Sequence, residues 1–294
     1  MNYLKNHILK MKYRKERKRI DRIFIDNVQK KQVTANVRNT SISDSDGTNY
    51  LLFVNAAVSN EEVFSSFRSC SIYRQIVTGL SVNLAEQCWK IIKKQALSDE
   101  CLDLYLESDK IGEPERYYFD DLDKKVAPST IRYIKILYDI QKLMPAEINS
   151  IAEIGIGYGG QCKIIMDKCN IQRYDLIDLP EVTELAKKYL TEISSTNEKI
   201  SLVNYVDGTK LEGIADSYDL VISNYAFSEL GREVQDAYLQ SVILKAKHGY
   251  MIWNSLSYLT LGGYSVDELR KIIPNSKVAN EEPLSAKDNV LIFW

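Results

Sequence analysis

The chain has 294 residues, 45% of them hydrophobic and 27% charged, enough to bury a sizeable core and too apolar for a disordered chain. Its 38 basic and 40 acidic side chains nearly cancel, which removes the global electrostatic argument for a nucleic-acid binder. Two histidines and five cysteines without a CxxC pair leave almost no material for a zinc site or a histidine-based triad; the cysteines read as reduced thiols.

The charge is unevenly spread. Residues 1–31 hold 11 basic and 3 acidic side chains, a balance of +8, so the rest of the chain carries 27 against 37, or −10. This basic stretch predicts a helix, with Leu4, Ile8, Ile20, Phe24 and Val28 recurring near helical spacing. Its plain role is an arm packing one apolar stripe on the body. Its sharper role is peripheral contact with an anionic membrane surface or a lipid-linked substrate. The chain lacks the apolar runs of a signal peptide or a membrane span, so a cytoplasmic protein is expected, at most touching the inner face of the membrane.

From about 55 to 145 the pattern is helical, with one run opening at Ser81 and another at Pro128, and a loop over 117–121 between them. Beyond Pro145 short apolar runs alternate with helical ones. Strands are predicted at 151–154, 174–177, 201–206, 218–223, 250–253, 277–280 and 290–294, and helices near Gly159, Pro180, Ser228 and Ser265. This alternation implies an α/β fold with a parallel, doubly wound sheet. The last two strands are joined by only a short connection, which suits an antiparallel hairpin at the sheet edge. The expected division is a basic arm and helical cap or oligomerisation region over 1–145, followed by a cofactor domain over 146–294.

Glu153-Ile154-Gly155-Ile156-Gly157-Tyr158-Gly159-Gly160 follows the first strand and opens a helix. Glycines there let the backbone turn sharply, approach a ligand and present N–H groups near a helix N-terminus, so this is read as a cofactor loop. Gly155, Gly157 and Gly160 also fit the dinucleotide pattern GxGxxG, which alone is a weak signal. Asp178, followed by Leu179, closes the second strand, where its carboxylate suits the hydroxyls of a ribose. Asp207-Gly208 follows the third strand, where an acid suits the adenine amine. The terminal hairpin, which a classical dinucleotide domain lacks, tilts the balance to S-adenosylmethionine.

These steps, with the strand Tyr218-Asp219-Leu220-Val221-Ile222-Ser223-Asn224, resemble the successive motifs of class I S-adenosylmethionine-dependent methyltransferases over about 146–294. More narrowly, the chain resembles the bacterial sugar O-methyltransferase family, through Ile177-Asp178-Leu179-Pro180-Glu181-Val182, Ser223-Asn224-Tyr225-Ala226-Phe227-Ser228-Glu229-Leu230, Gly249-Tyr250-Met251-Ile252-Trp253-Asn254 and Glu282-Pro283-Leu284. The resemblance implies a Rossmann-like seven-stranded sheet with its last strand antiparallel, a helical N-terminal substrate cap, and methylation of a sugar hydroxyl on a surface polysaccharide or its precursor.

Such a reaction needs an aligned oxygen nucleophile and a base to take its proton. Glu229, just after the fourth strand, is the first candidate base, although an acid in the first turn of a helix capped by Ser228 also suits the helix dipole. Tyr225 is read as orienting the acceptor or packing on the cofactor, and Ser223 and Asn224 as cofactor contacts at the strand end. Asn254 can hydrogen-bond a sugar, and Trp253 and Tyr258 offer flat faces for one, with core packing the plainer role of Trp253. Glu281, Glu282 and Asp288 flank the last hairpin; Glu282 is taken as a substrate contact, against a plainer reading of all three as solvated turn carboxylates. His248 is placed at a helix C-terminus and given no catalytic role.

No compact acidic cluster marks a metal site, so metal-independent chemistry is expected. An NAD(P)-dependent reductase is the first rival, weakened because the single YxxxK, Tyr138 to Lys142, precedes the glycine loop. A nucleic-acid methyltransferase is weakened because Tyr225-Ala226, not a proline pair, follows Asn224. A catalytically idle scaffold of the same fold is the third. The expected partner is a sugar-containing small molecule or glycan precursor.

Overall fold

The structure, a computed structural model, describes residues 2–31, 48–95, 99–144, 147–193 and 198–294. Seven strands form one sheet: β1 (Ser150–Ile154), β2 (Arg173–Asp178), β3 (Val203–Asp207), β4 (Tyr218–Asn224), β5 (Ala246–Trp253), β6 (Lys277–Asn280) and β7 (Val290–Phe293). Their spatial order is β3-β2-β1-β4-β5-β7-β6. The first five run parallel, while β7 runs antiparallel to both β5 and β6. The parallel strands are apolar on both faces because helices cover both sides, whereas β6 is an edge strand exposed along its whole length. The expected seven-stranded α/β architecture with one reversed strand is therefore the observed one.

The principal helices are α1 (Asn2–Lys31), α2 (Thr48–Ser59), α3 (Val82–Ile92), α4 (Pro128–Leu143), α5 (Gly160–Lys168), α6 (Pro180–Ile193), α7 (Arg232–Ser241) and α8 (Val266–Ile272). Local chemistry explains their starts. Pro128 occupies the first turn of α4, Ser81 caps α3 by accepting the Leu84 N–H, and Ser265 with Glu268 forms a capping box on α8. The helix expected at Ser228 begins later. Residues Ala226–Glu229 form a 3-10 turn, and α7 starts at Arg232 after Gly231. Glu229 is thus not a first-turn acid of an α-helix. His248 lies inside β5 rather than at a helix end.

Helix α1 buries the expected Ile20 and Phe24 and packs Val28 on the core, but its N-terminal part docks along a different line. Leu4 and Ile8 are exposed, and the inward line is Asn6, Leu9, Tyr13, Arg17, Ile20 and Phe24. Polar contacts set this register: Asn6 exchanges hydrogen bonds with the Tyr118 backbone at 2.7 and 2.8 Å, and Tyr13 Oη donates to the Arg116 carbonyl. Asp21 accepts from the Ser71 N–H and hydroxyl. Among the described residues no helix is long and apolar enough to cross a membrane.

One cluster of buried apolar side chains runs from Ile20 and Phe53 through Tyr158 and Tyr189 to Leu291, so the described parts of 1–145 and 146–294 share a core. A second cluster, with Phe227 and Trp253, fills the opposite face of the sheet. The boundary drawn at Pro145 falls outside the described residues.

The shared core is organised around a buried cation. Arg68, 1% exposed, donates to Asp109 Oδ1 and Ser129 Oγ, each at 3.2 Å, and to the Ser108 carbonyl. Its guanidinium stands 4.7 Å from the centre of the Tyr158 ring. Burial alone would pull its pKa down; Tyr158 and Asp109 more than offset this, and the net shift is upward. Asp109 also accepts from the Ala127 N–H and the Thr130 hydroxyl, which anchors the start of α4. Replacing Arg68 by Leu strands Asp109 as an uncompensated buried charge, and should cost about 3–5 kcal/mol in urea unfolding of the whole chain. A loss below about 1 kcal/mol would show that the pair is not a structural anchor.

Candidate active site

The glycine loop forms as its spacing requires. Gly155, Gly157 and Gly159 all adopt positive φ, at 80, 55 and 81°. A Cβ at Gly155 would overlap that of Ala226, so the loops after β1 and β4 meet backbone to backbone. A Cβ at Gly160 would stand 2.6 Å from the Tyr133 ring and 2.7 Å from that of Tyr158. Tyr158, between the glycines, has no exposed surface and packs edge-on against Tyr189 at 4.8 Å. Its ring thus locks the loop to the shared core.

Asp178 ties the loop to its neighbours. Its Oδ2 accepts the Ile156 N–H at 2.9 Å, its Oδ1 the Leu179 N–H at 2.7 Å, and its carbonyl the Gly208 N–H at 2.8 Å. Asp207 faces Asp178 in register across β2 and β3, and its Oδ1 accepts from the Thr209 N–H and hydroxyl. Asp178, Leu179, Asp207 and Gly208 therefore share one edge with Gly155 and Gly157. Glu153 does not join them. Its carboxyl is 2% exposed and accepts a 2.6 Å hydrogen bond from Tyr174 on β2, inside the sheet layer.

At the end of β4, Ser223 is turned inward and accepts the Phe227 N–H at 3.0 Å, a turn-closing role. Asn224 Oδ1 is buried and has no hydrogen-bond partner. Tyr225 has φ 69° and ψ −33°, a conformation costing a bulky residue on the order of 1–3 kcal/mol. Its side chain is held on both sides: Arg132 lies 4.6 Å from its ring centre, and its hydroxyl donates to Glu281 and lies 2.8 Å from Ser285 Oγ. Burial raises the Tyr225 pKa to about 12.

Glu281 is not a solvated turn acid. It is 7% exposed, and its Oε2 also accepts from the Ser285 N–H and hydroxyl and from Asn289 Nδ2. Glu282 and Asp288 are exposed. The importance of Glu281 is hidden in the sequence because its partner Tyr225, just after β4, lies 56 positions away; the Ser285 and Asn289 spacing behind it is the available signal.

Glu229 and Asn254 are brought together, with Asn254 Nδ2 donating to Glu229 Oε1 at 2.8 Å. Ser228 bridges the same corner, donating to the Tyr225 carbonyl and accepting the Asn254 N–H. Trp253 presents no face to a sugar. It is 1% exposed and packs edge-on against Phe227 in the second core. Tyr258 is 49% exposed. The carboxyl ends of β1, β2, β4 and β5 therefore gather the glycine loop, Asp178, Asn224, Tyr225, Glu229 and Asn254 on one rim, where open α/β sheets bind their ligands.

No family model matches the chain, and no curated protein matches it. Among solved structures, a candidate O-methyltransferase of Nostoc punctiforme is 15% identical with a TM-score of 0.41, covering 54% of this chain and 53% of its own. The pyocyanin biosynthetic protein PhzM is 13% identical with a TM-score of 0.40, over 56% of each chain. TrmK of M. capricolum, solved with S-adenosyl-homocysteine, is 16% identical with a TM-score of 0.36, over 54% of this chain and 66% of its own. The first two are thus matched over little more than half their length. These likenesses are weak, and the fold assignment rests on the strand order and direction.

Burial raises the Glu153 carboxyl from 4.5 to about 8, with the Asp178 charge adding and the Tyr174 hydrogen bond subtracting. The folded state therefore holds a proton that the unfolded state releases above about pH 4.5. The stability tied to it is full below that pH and is lost as pH rises through about 8, on the order of 5 kcal/mol across the window. Glu153→Gln should flatten the decline between pH 5 and 8 in chemical unfolding. An unchanged slope would remove Glu153 as its source.

Proposed function

We propose that this chain is an S-adenosylmethionine-dependent methyltransferase acting on a hydroxyl of a sugar or glycan precursor. The observation that carries this reading is the reversed β7 between β5 and β6. A classical dinucleotide fold runs 3-2-1-4-5-6 without that strand, which disfavours the reductase alternative.

The residues on the rim fit the cofactor. Asp178 stands at the carboxyl end of β2, held against the glycine loop through the Ile156 N–H, where a carboxylate suits a ribose diol. The orphaned Asn224 Oδ1 is an acceptor aimed from the end of β4, which suits the ammonium of the methionine moiety. The cofactor supplies a methyl on a sulfonium; the S–CH3 bond breaks as an O–CH3 bond forms, and the hydroxyl proton must leave. Glu229, oriented by Asn254, takes that proton. Glu281 accepts three hydrogen bonds on Oε2 and that of Tyr225 on Oε1, and serves instead to hold Tyr225 against the edge of the site. The sugar acceptor is supported by the family resemblance and by the polar Glu229–Asn254 corner with Tyr258 nearby in sequence.

Calorimetric titration should give micromolar binding of S-adenosylmethionine and S-adenosyl-homocysteine and none of NADH. Asp178→Ala should abolish the binding, and Glu229→Gln should leave it intact while slowing methyl transfer about 10²–10⁴-fold. Binding of NADH in their place would overturn the reading.

A further inference from the structure

A cavity of about 400 Å³ lies between α1 and the start of α3, away from the glycine loop. Lys10, Arg14 and Arg17, three residues on one face of α1, line it together with Arg74, Ser81 and Glu115. Four cations thus face one carboxylate. Glu115 is already engaged: its side chain is 1% exposed, Arg17 Nε and Arg74 Nη1 each approach it at 2.8 Å, and Tyr117 donates to it at 2.8 Å. Arg17 Nε is buried and misaligned for a hydrogen bond to Glu115 despite that distance. Among the described residues no acid pairs with Lys10 or Arg14. The N-terminus of α3, an 11-residue helix capped by Ser81, opens on the same space and adds its partial positive charge.

We infer that this cavity binds a phosphate or diphosphate carried by the acceptor. The inference rests on the proposed methyltransferase reading for its role, not for the binding itself. Two features connect the cavity to the rim. Arg74 begins a five-residue π-helical segment, Arg74–Thr78, and Val77 in the same segment reaches the glycine loop, where it would meet a Cβ at Gly157 at 2.8 Å. Leu80 lines both this cavity and the cleft formed by Arg132, Glu281 and Glu282, and Arg132 and Glu281 are the groups that hold Tyr225. An acceptor anchored by its phosphates on α1 and Arg74 would run along Leu80 toward Tyr225. The phosphate could belong to a soluble nucleoside diphosphate ester or to a prenyl diphosphate; both present the same anion.

The test is calorimetric titration of the whole chain with inorganic pyrophosphate, with UDP, and with liposomes carrying or lacking a prenyl diphosphate. S-adenosyl-homocysteine is titrated in parallel. Pyrophosphate should bind the wild type, more weakly as salt rises. Lys10→Ala with Arg14→Ala, both exposed positions, should weaken it about 10- to 100-fold, and Arg14→Glu should do the same, with S-adenosyl-homocysteine binding unchanged. Tighter binding of UDP than of pyrophosphate supports the site with a soluble acceptor; binding only to the prenyl-diphosphate liposomes beyond pyrophosphate supports it with a lipid-linked one. No binding of pyrophosphate, or binding that both variants leave unchanged, overturns the inference. A wild type that binds pyrophosphate but shows no binding of S-adenosyl-homocysteine would overturn the methyltransferase reading instead.

Discussion

The contact between the buried Arg68 guanidinium and the Tyr158 ring joins the N-terminal half to the glycine loop. A cation with so little exposure needs partners, and Asp109, Ser129 and two backbone carbonyls meet its two terminal nitrogens, while Nε has no hydrogen-bond partner. The face of Tyr158 is met by Arg68, and its edges by Phe67 and Tyr189. Because Tyr158 lies between Gly157 and Gly159, the glycine loop is held from the N-terminal side as well as by its own sheet. The glycines supply the freedom to turn, and Tyr158 removes the freedom that would remain afterwards.

The same arrangement gives the N-terminal half a function beyond covering the sheet. Arg68 and the Arg74–Thr78 segment lie within a few residues of one another, one fixing Tyr158 and the other touching Gly157. Helix α1 is tied to this region through Asp21 to Ser71 and Arg17 to Glu115. Backbone strain at Tyr225 on the other side of the rim is held by Arg132 from α4 and by Glu281 from the β6–β7 connection. Both walls of the candidate site thus depend on side chains from outside the strands that carry it, as a preorganised site requires.

Much of this was legible in the sequence because it is local. The glycine loop, Asp178 beside it, Asp207-Gly208 and the reversed terminal strand depend on spacing within one βα unit or one hairpin. What was not legible depends on contacts between distant segments. Leu4 and Ile8 fit a helical stripe as well as Leu9 and Tyr13 do, and the hydrogen bonds of Asn6 and Tyr13 to residues over 100 positions away favour the second line at this end of the helix. Glu281 looks like any turn carboxylate until Tyr225 meets it. Trp253 follows the burial of its strand rather than the polarity of the rim. Lys10, Arg14 and Arg17 look like solvated charge until Arg74 closes a cavity against them.

Tyr158 and Val77 are the two side chains through which a cofactor on the glycine loop would be felt in the N-terminal half. Hydrogen–deuterium exchange of the intact protein, with and without saturating S-adenosyl-homocysteine, tests this coupling most directly. Added protection is expected in peptides spanning 154–160, 177–181 and 223–230, and also in 68–80. Protection confined to the sheet edge, with 68–80 unchanged, would contradict the coupling of the two halves.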